Sequence, residues 1–327
     1  MKNTRVMVTG GCGFIGTNLT LELLNRGADI TVLDLPSADW ARLPGRIKTI
    51  KADILDRRAI SGAFDGVEIV YHLAARTDLD GGSLSDYKTN FEGTENIIDQ
   101  LAGSKAIKRL VLYSTQLVVG LFNETRFIDE SEPYRANTVY GESKILAEKI
   151  TVRKCSEAGI PYVIIRPTSV YGPWGKSPYR EFFRAIKNRR YFHVGRANNL
   201  VSLAYVENLV SQTILLSLHD CASNRLFFGN DFHPYTMREV VDAVAGYYGV
   251  KIRTVPSPLM TVVAYAFGAL KLFGAKVPIY PFRLRNIKAN YCYDIQNSVR
   301  LGYDPEFGLK EGIAKTLDWY EKNDGYA

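Results

Sequence analysis

The stretch Thr9-Gly10-Gly11-Cys12-Gly13-Phe14-Ile15-Gly16 follows the apolar run Val6 to Val8 and opens a longer helical pattern. A glycine pattern alone marks many ordinary turns. A strand before it and a helix after it make it a dinucleotide-binding loop, because each glycine then has a steric task. Gly10 permits the tight turn, Gly13 lets backbone amides approach a pyrophosphate, and Gly16 allows close helix-strand packing with the helix N-terminus facing the anion.

Outward from that loop, short apolar runs alternate with amphipathic helical stretches. Val6 to Val8, Ile30 to Leu33, Ile47 to Ile50, Ile69 to Leu73, Leu110 to Tyr113 and Tyr162 to Ile165 have the composition of buried parallel strands. The alternation predicts an α/β fold of Rossmann type, a doubly wound parallel sheet with right-handed crossovers. After Pro167 the pattern loosens into Gly/Pro-broken segments, with helices expected near Val206 to His219, Thr236 to Tyr248 and Lys310 to Lys322. The expected division is a dinucleotide-binding domain over residues 1–166 and a smaller C-terminal substrate-binding lobe over 167–327, from which some segments return to the sheet.

The second strand ends at Asp34, whose carboxylate can accept hydrogen bonds from the adenosine ribose hydroxyls. A 2'-phosphate there would meet like charge, which favours NAD over NADP, although Arg42 and Arg46 follow closely. Asp53-Ile54, just past the third strand, can flank the adenine, and Asp53 serves equally as a helix N-cap. His72-Leu73-Ala74-Ala75 closes the fourth strand with small residues that let a cofactor lie against the backbone. His72 itself reads as a packed strand residue.

Tyr140-Gly141-Glu142-Ser143-Lys144 places a phenol and an ammonium on one helical face. With 20 tyrosines in the chain the spacing arises readily by chance, and Tyr247 with Lys251 is a second copy. That copy crosses Gly249 and has no cofactor motif in register. Tyr140 follows the fifth strand, which ends at Ser114-Thr115, so a hydroxyl donor and the tyrosine can converge on one point.

Composition sets the class. The 327 residues, 46% hydrophobic and 23% charged, exclude whole-chain disorder and suffice for one large domain or two joined ones. The net charge of +7 is interleaved, and the densest basic run (Lys187, Arg189, Arg190) sits among aromatics without a recognition motif. No nucleic-acid partner is expected, and a mild positive field suits an anionic substrate. Cys12, Cys155, Cys221 and Cys292 lie far apart and signal neither disulfides nor a metal site. The chain runs directly into its first strand, which predicts a cytoplasmic protein. Pro258 to Phe273 is apolar but short of spanning length; it reads as a buried or lid helix, with membrane-surface association as the alternative.

Taken together, these motifs resemble the extended short-chain dehydrogenase/reductase family, which contains NAD-dependent nucleotide-sugar epimerases and dehydratases and the 3-beta-hydroxysteroid dehydrogenase-like enzymes. The resemblance covers almost the whole chain. It rests on the glycine loop, Asp34, Asp53-Ile54, His72 to Ala75, Asn90-Phe91-Glu92-Gly93-Thr94, Ser114-Thr115, Tyr140 to Lys144, Arg166-Pro167-Thr168-Ser169-Val170-Tyr171-Gly172-Pro173 and Leu301-Gly302-Tyr303-Asp304-Pro305. It implies that Thr115 holds the substrate oxygen, Tyr140 accepts a proton and Lys144 holds the nicotinamide ribose. Pro167 to Val170 would line the nicotinamide, and Asn90 and Ser114 would support the cofactor site together with Phe14, Ile15, Leu73, Ala74 and Ala75. A homodimer through the helices containing Glu92 to Gln100 and Tyr140 to Lys149 is expected by the same analogy.

The residue types fit alcohol oxidation. A phenol with an ordinary pKa near 10 is a poor base at neutral pH. Lys144 and a cationic nicotinamide both favour the phenolate, so Tyr140 can take the alcohol proton as hydride leaves carbon. Thr115 offers a positioned hydrogen bond to the developing carbonyl. Family 4,6-dehydratases carry an Asp-Glu pair directly after the catalytic threonine, where this chain has Gln116-Leu117, so dehydration is not expected. Epimerisation and net dehydrogenation both stay open. Many sugar epimerases have Asn at the place of Ser169 and a phosphate-contacting Arg at the place of Val201. The C-terminal part resembles the hydroxysteroid branch, whereas Pro173 to Arg180 and Tyr191-Phe192-His193 resemble sugar-modifying members associated with bacterial surface polysaccharides. The nucleotide-sugar class is favoured; a hydroxysteroid-type dehydrogenase and a non-catalytic NAD-sensing protein are the alternatives. Substrate-contact candidates are Arg76, Thr77, Gln116, Ser169, Tyr179, Arg180, His193 and Arg283, with Arg196 and Arg285 as further cations for a diphosphate.

Overall fold

The computed structural model describes residues 1–120, 126–175, 177–272 and 289–323. Its centre is a seven-stranded sheet in which every neighbouring pair is parallel. Six strands arise from the apolar runs singled out in the sequence: β1 (Arg5–Thr9), β2 (Asp29–Asp34), β3 (Lys48–Lys51), β4 (Ile69–His72), β5 (Arg109–Tyr113) and β6 (Tyr162–Pro167). The inner strands β4, β5 and β6 are buried at every position, so an uninterrupted apolar run, not an alternating one, is what the sheet needs. The seventh, Arg225–Gly229, extends the sheet beyond β6.

The strand order, counted from that seventh strand, is Arg225–Gly229, β6, β5, β4, β1, β2, β3. The chain winds outward one way from β1 to β3 and the other way from β4, so the order reverses between β1 and β4. In an open α/β sheet a crevice opens at that switch point, outside the strands' C-terminal ends. The glycine loop and Leu73 to Ala75 flank it.

Helices cover both faces. On one face, α1 (Phe14–Asn25) and α5 (Val206–Leu218) pack with Leu19, Leu23, Leu209 and Ile214 over Val6, Val8, Val32 and Val111. On the other, α2 (Lys88–Leu101) and α3 (Val139–Ala158) bury Ile97, Ile98, Leu101, Ala147 and Cys155 against Met7, Val70, Leu110 and Leu112. Burial of such side chains stabilises each by about 1.5–3 kcal/mol relative to exposure. The sequence expectation of a Rossmann-type fold is met.

A second apolar cluster holds the lobe. It joins Phe183 and Ile186 of α4 (Tyr179–Lys187), Val240, Val241 and Val244 of α6 (Met237–Tyr248), and Ile313, Leu317 and Tyr320 of the helix Leu309–Asn323. Short strands accompany them: β7 (Ser169–Tyr171) with β10 (Leu203–Tyr205), and β8 (Phe192–Val194) with β13 (Arg253–Val255). The lobe closes onto the glycine loop, because Phe14 packs in its core, the Asn18 amide donates to the Pro173 carbonyl at 3.0 Å, and the Tyr320 hydroxyl donates to the Gly175 carbonyl at 3.0 Å. All four cysteines are free, and among the described residues no His/Cys/Asp/Glu group could hold a metal.

Candidate active site

The glycine loop fits a dinucleotide by its steric vacancies. Gly10 has φ +72°, and a Cβ there would stand 2.6 Å from the Ala74 nitrogen; a Cβ on Gly16 would stand 2.1 Å from the Gly10 carbonyl oxygen. β1 and α1 therefore meet at a separation only glycine allows. Gly13 caps α1 without a side-chain hydrogen bond, so the first-turn amides of Phe14, Ile15 and Gly16 carry no side-chain cap. Those donors and the positive end of the helix dipole make an anion cradle.

Asp34 sits at the end of β2, where its carboxylate accepts the Cys12 amide at 2.9 Å and the Leu35 amide at 2.8 Å. It is thereby fixed beside the loop. Arg42 donates to Asp39 at 2.9 Å and to the Cys12 carbonyl at 3.3 Å, with its guanidinium 5.4 Å from the Trp174 ring. Burial, then Asp34, push the Cys12 thiol up to about 12, so no thiolate forms in the loop at neutral pH. Asp53 accepts the Leu55 amide at 2.9 Å, and Ile54 is buried against Gly93 of α2.

The switch point is braced by a buried chain of hydrogen bonds. His72 Nδ1 lies 2.7 Å from the Thr9 hydroxyl, and Nε2 lies 2.9 Å from the Thr94 hydroxyl. Burial, aided by Lys144, holds this imidazole down at about 3, so it stays neutral and packs as a strand residue. The Leu73 amide donates to the Thr9 carbonyl at 3.0 Å, fixing the segment that Ala74 and Ala75 continue. Asn90 ties this segment to α3: its amide donates to the Arg76 carbonyl at 3.0 Å and the Ser143 hydroxyl at 2.9 Å, and its carbonyl accepts the Arg76 amide at 2.8 Å.

Tyr140, Lys144 and Glu148 recur every fourth residue along α3 and share its buried face. Thr138 starts that helix by accepting the Gly141 amide at 3.0 Å, and Gly159 ends it in the left-handed region at φ +66°. Thr115, which caps the 3-10 turn Gln116–Val118, stands on the hydroxyl side of Tyr140. Burial pushes the Tyr140 phenol up to about 12, against the opposing pull of the Thr115 hydroxyl. Burial brings the Lys144 ammonium down to about 8, and the Glu148 carboxylate opposes that fall.

Glu148 escaped the sequence reading. It is completely buried, binds the Arg166 guanidinium at 2.7 and 3.0 Å, accepts the Ser114 hydroxyl, and accepts the Tyr134 hydroxyl at 2.9 Å. Ser114 is therefore turned to this carboxylate, and Pro167 and Val170 follow Arg166 along β6 and β7. The available signal was the four-residue step beyond Lys144.

The substrate-side candidates are dispersed. Arg76 pairs with Asp78 at 2.8 Å and stacks 5.1 Å from the Tyr87 ring, whereas Thr77 is exposed. Gln116 directly follows Thr115. Tyr179 opens α4 with its hydroxyl toward Ser169, which brings two of the candidates near each other, and Arg180 is the next residue of the helix. His193 lies in β8, not in a loop, buried with Nε2 3.5 Å from the Asp242 carboxylate. Arg196 is exposed, and Arg283 and Arg285 lie outside the described residues. The second Tyr-Lys pair is unrelated to this cluster, because Tyr247 bonds Asp318 on the C-terminal helix.

A parallel sheet with a glycine loop at its switch point, a carboxylate at the end of β2 and a buried Thr-Tyr-Lys cluster defines an NAD-dependent enzyme of the extended short-chain dehydrogenase/reductase type. Residues 6–224 match the NAD dependent epimerase/dehydratase family, to which this chain belongs. It is 30% identical over 338 residues to 3 beta-hydroxysteroid dehydrogenase/Delta 5-->4-isomerase of Mycobacterium tuberculosis, spanning 97% of this chain and 90% of that protein. It is 27% identical over 324 residues to N-acetyl-alpha-D-glucosaminyl-diphospho-ditrans,octacis-undecaprenol 4-epimerase of Escherichia coli O157:H7, spanning 97% and 95%. Its fold is similar to UDP-glucose 4-epimerase of Thermotoga maritima, with a TM-score of 0.79, 21% identity and coverage of 98% and 99%.

Proposed function

We propose that this chain oxidises a secondary ring alcohol, with Tyr140 taking the alcohol proton, Thr115 hydrogen-bonding the developing carbonyl, and Lys144 holding the nicotinamide ribose while favouring the phenolate. The observation that carries this reading is the convergence of buried Thr115 and Tyr140, with buried Lys144 one helical turn further along α3. NAD, when bound, supplies the hydride-accepting ring. The amides at Gly13 to Gly16 would hold its pyrophosphate behind Gly10, Asp34 its adenosine ribose, and Asp53 and Ile54 its adenine. Leu73 to Ala75, Pro167 and Val170 would wall the nicotinamide, with Asn90 and Ser114 bracing the walls. The phenol, raised to about 12, is neutral at pH 7, whereas Lys144, at about 8, still carries its charge there; a cationic nicotinamide added beside them would join Lys144 in favouring the phenolate.

For the substrate, a sugar carried on a diphosphate, isomerised without net redox change, is the favoured reading. Support comes from the E. coli relative, matched over 97% of this chain, and from the nearness of the lobe candidates Ser169 and Tyr179. Gln116, where a dehydratase carries an acid, argues against water elimination. A second reading, net oxidation of a hydroxysteroid, is favoured by the 30% identity to the M. tuberculosis enzyme. Incubation with UDP-, GDP- and dTDP-sugars and, separately, hydroxysteroids, following isomer formation and NADH absorbance together, separates the two. Isomerisation without free NADH supports the sugar reading; stoichiometric NADH with a steroid replaces it with the second.

A further inference from the structure

The helix α7 (Ser257–Leu272) lies, up to Leu270, within a stretch with no charged residue that runs from Thr254. Met260 and Ala264, one turn apart, are buried against Val194 and Val255 at the ends of β8 and β13. That contact accounts for one face. Leu259, Val262 and Tyr265 lie on the other, 54%, 67% and 65% exposed, and form a stripe three residues apart along the helix. A soluble helix of ordinary kind carries polar residues there, so an apolar outer stripe marks a contact surface.

Next to it lies a cluster of cations. Arg189, Arg190, Lys251 and Arg253 are exposed and line a cleft of about 600 Å³ with Tyr191 and Phe192. None of the four forms an ion pair with the described residues. β8 and β13 pair in register, Arg253 opposite Phe192, and each has only three residues. The basic cleft at their start and the α7 seat at their end are therefore within about 10 Å along the strands. Asp242, an acidic group on the neighbouring α6, has its carboxylate turned to His193.

We propose that this edge of the lobe docks on an anionic phospholipid surface, with Leu259, Val262 and Tyr265 entering the headgroup boundary and the four cations meeting lipid phosphates. An amphipathic contact of this kind lies in the interface plane, and the basic flank supplies the attraction that apolar area alone lacks. No helix among the described residues is long and apolar enough to cross a membrane, so the contact is peripheral. The proposal goes beyond the alcohol oxidation and does not depend on its substrate.

The test is co-sedimentation of the full chain with vesicles of phosphatidylcholine alone or mixed with phosphatidylglycerol. Binding to the anionic vesicles is expected, weakened by added salt. Val262→Asp with Tyr265→Ser, and separately Arg189→Glu with Arg253→Glu, should each lower partitioning by roughly tenfold or more while NAD binding is kept. Should the first pair fail to bind NAD, the exposed arginine pair carries the test. Failure of the wild-type chain to sediment, or sedimentation of both variants at the wild-type level, overturns the proposal. So does a dimer that Val262→Asp splits without any vesicle binding, which would make the stripe a contact between two copies.

Discussion

The Glu148 carboxylate and the Arg166 guanidinium form a two-pronged ion pair, at 2.7 and 3.0 Å, with both side chains essentially out of reach of solvent. The pair joins α3 to β6 directly beneath the Tyr140 and Lys144 turns. A buried pair is weak evidence for net stability, yet breaking it strands a charge. Glu148→Gln should therefore destabilise the fold by about 3 kcal/mol or more, read from urea denaturation. Because Glu148 also opposes the fall in the Lys144 pKa, the same variant should shift the upper limb of the pH-activity profile downward. A shift in stability without a shift in the profile would assign Glu148 to packing alone.

Lys144 itself sets a pH dependence of stability. Its folded value of about 8 lies below the ordinary 10.5. Between those values the unfolded chain retains a proton that the folded chain has released, so this contribution makes stability rise with pH across that window. Below it the full cost of burying the cation is present, about 3 kcal/mol. Lys144→Met should accordingly be more stable than the wild type at neutral pH and lose that advantage toward pH 10, while losing turnover. Equal differences in melting temperature at both pH values would contradict this account.

Gly10 and Gly16 carry the cofactor prediction. Alanine at either position drives a methyl into backbone, at 2.6 Å from Ala74 or 2.1 Å from Gly10, and the loop must open to relieve it. NAD affinity should fall by tenfold or more in each single variant, because the amides lose their aim at the pyrophosphate. Calorimetric titration checks this directly; wild-type affinity in Gly16→Ala would remove the loop from the cofactor site.

Asp34 should decide between the two nicotinamide cofactors. Replacing it with Asn removes the like charge that a 2'-phosphate would meet and leaves Arg42 nearby, held at the Cys12 carbonyl. The ratio of NAD to NADP affinity should drop by roughly tenfold. An unchanged ratio would show that the ribose lies elsewhere.

Much of this was legible because the decisive residues act locally. A turn that only glycine can make, uninterrupted apolar strands and a hydroxyl at the end of β5 leave marks in consecutive residues. Glu148 left only its four-residue step beyond Lys144, since a glutamate in the middle of a helix reads as solvent-facing until Arg166 is brought over it from a strand 18 positions on. The seventh strand was equally hidden: Arg225-Leu226-Phe227-Phe228-Gly229 is short, and only pairing with β6 turns it into sheet. The burial of His193 is equally hidden, because the β8–β13 pair that encloses it joins residues about sixty positions apart. The candidate substrate residues are least legible, being spread over segments far apart in the chain, from Arg76 to His193.

The central claim is that Tyr140 is the proton acceptor. Under single-turnover conditions with an accepted alcohol substrate, the wild-type chain should show the absorbance of enzyme-bound NADH. Tyr140→Phe, which keeps the ring and the packing but has no ionisable oxygen, should bind NAD normally and form NADH at least about a thousandfold more slowly. NADH formation in that variant at a rate near that of the wild type would contradict the account.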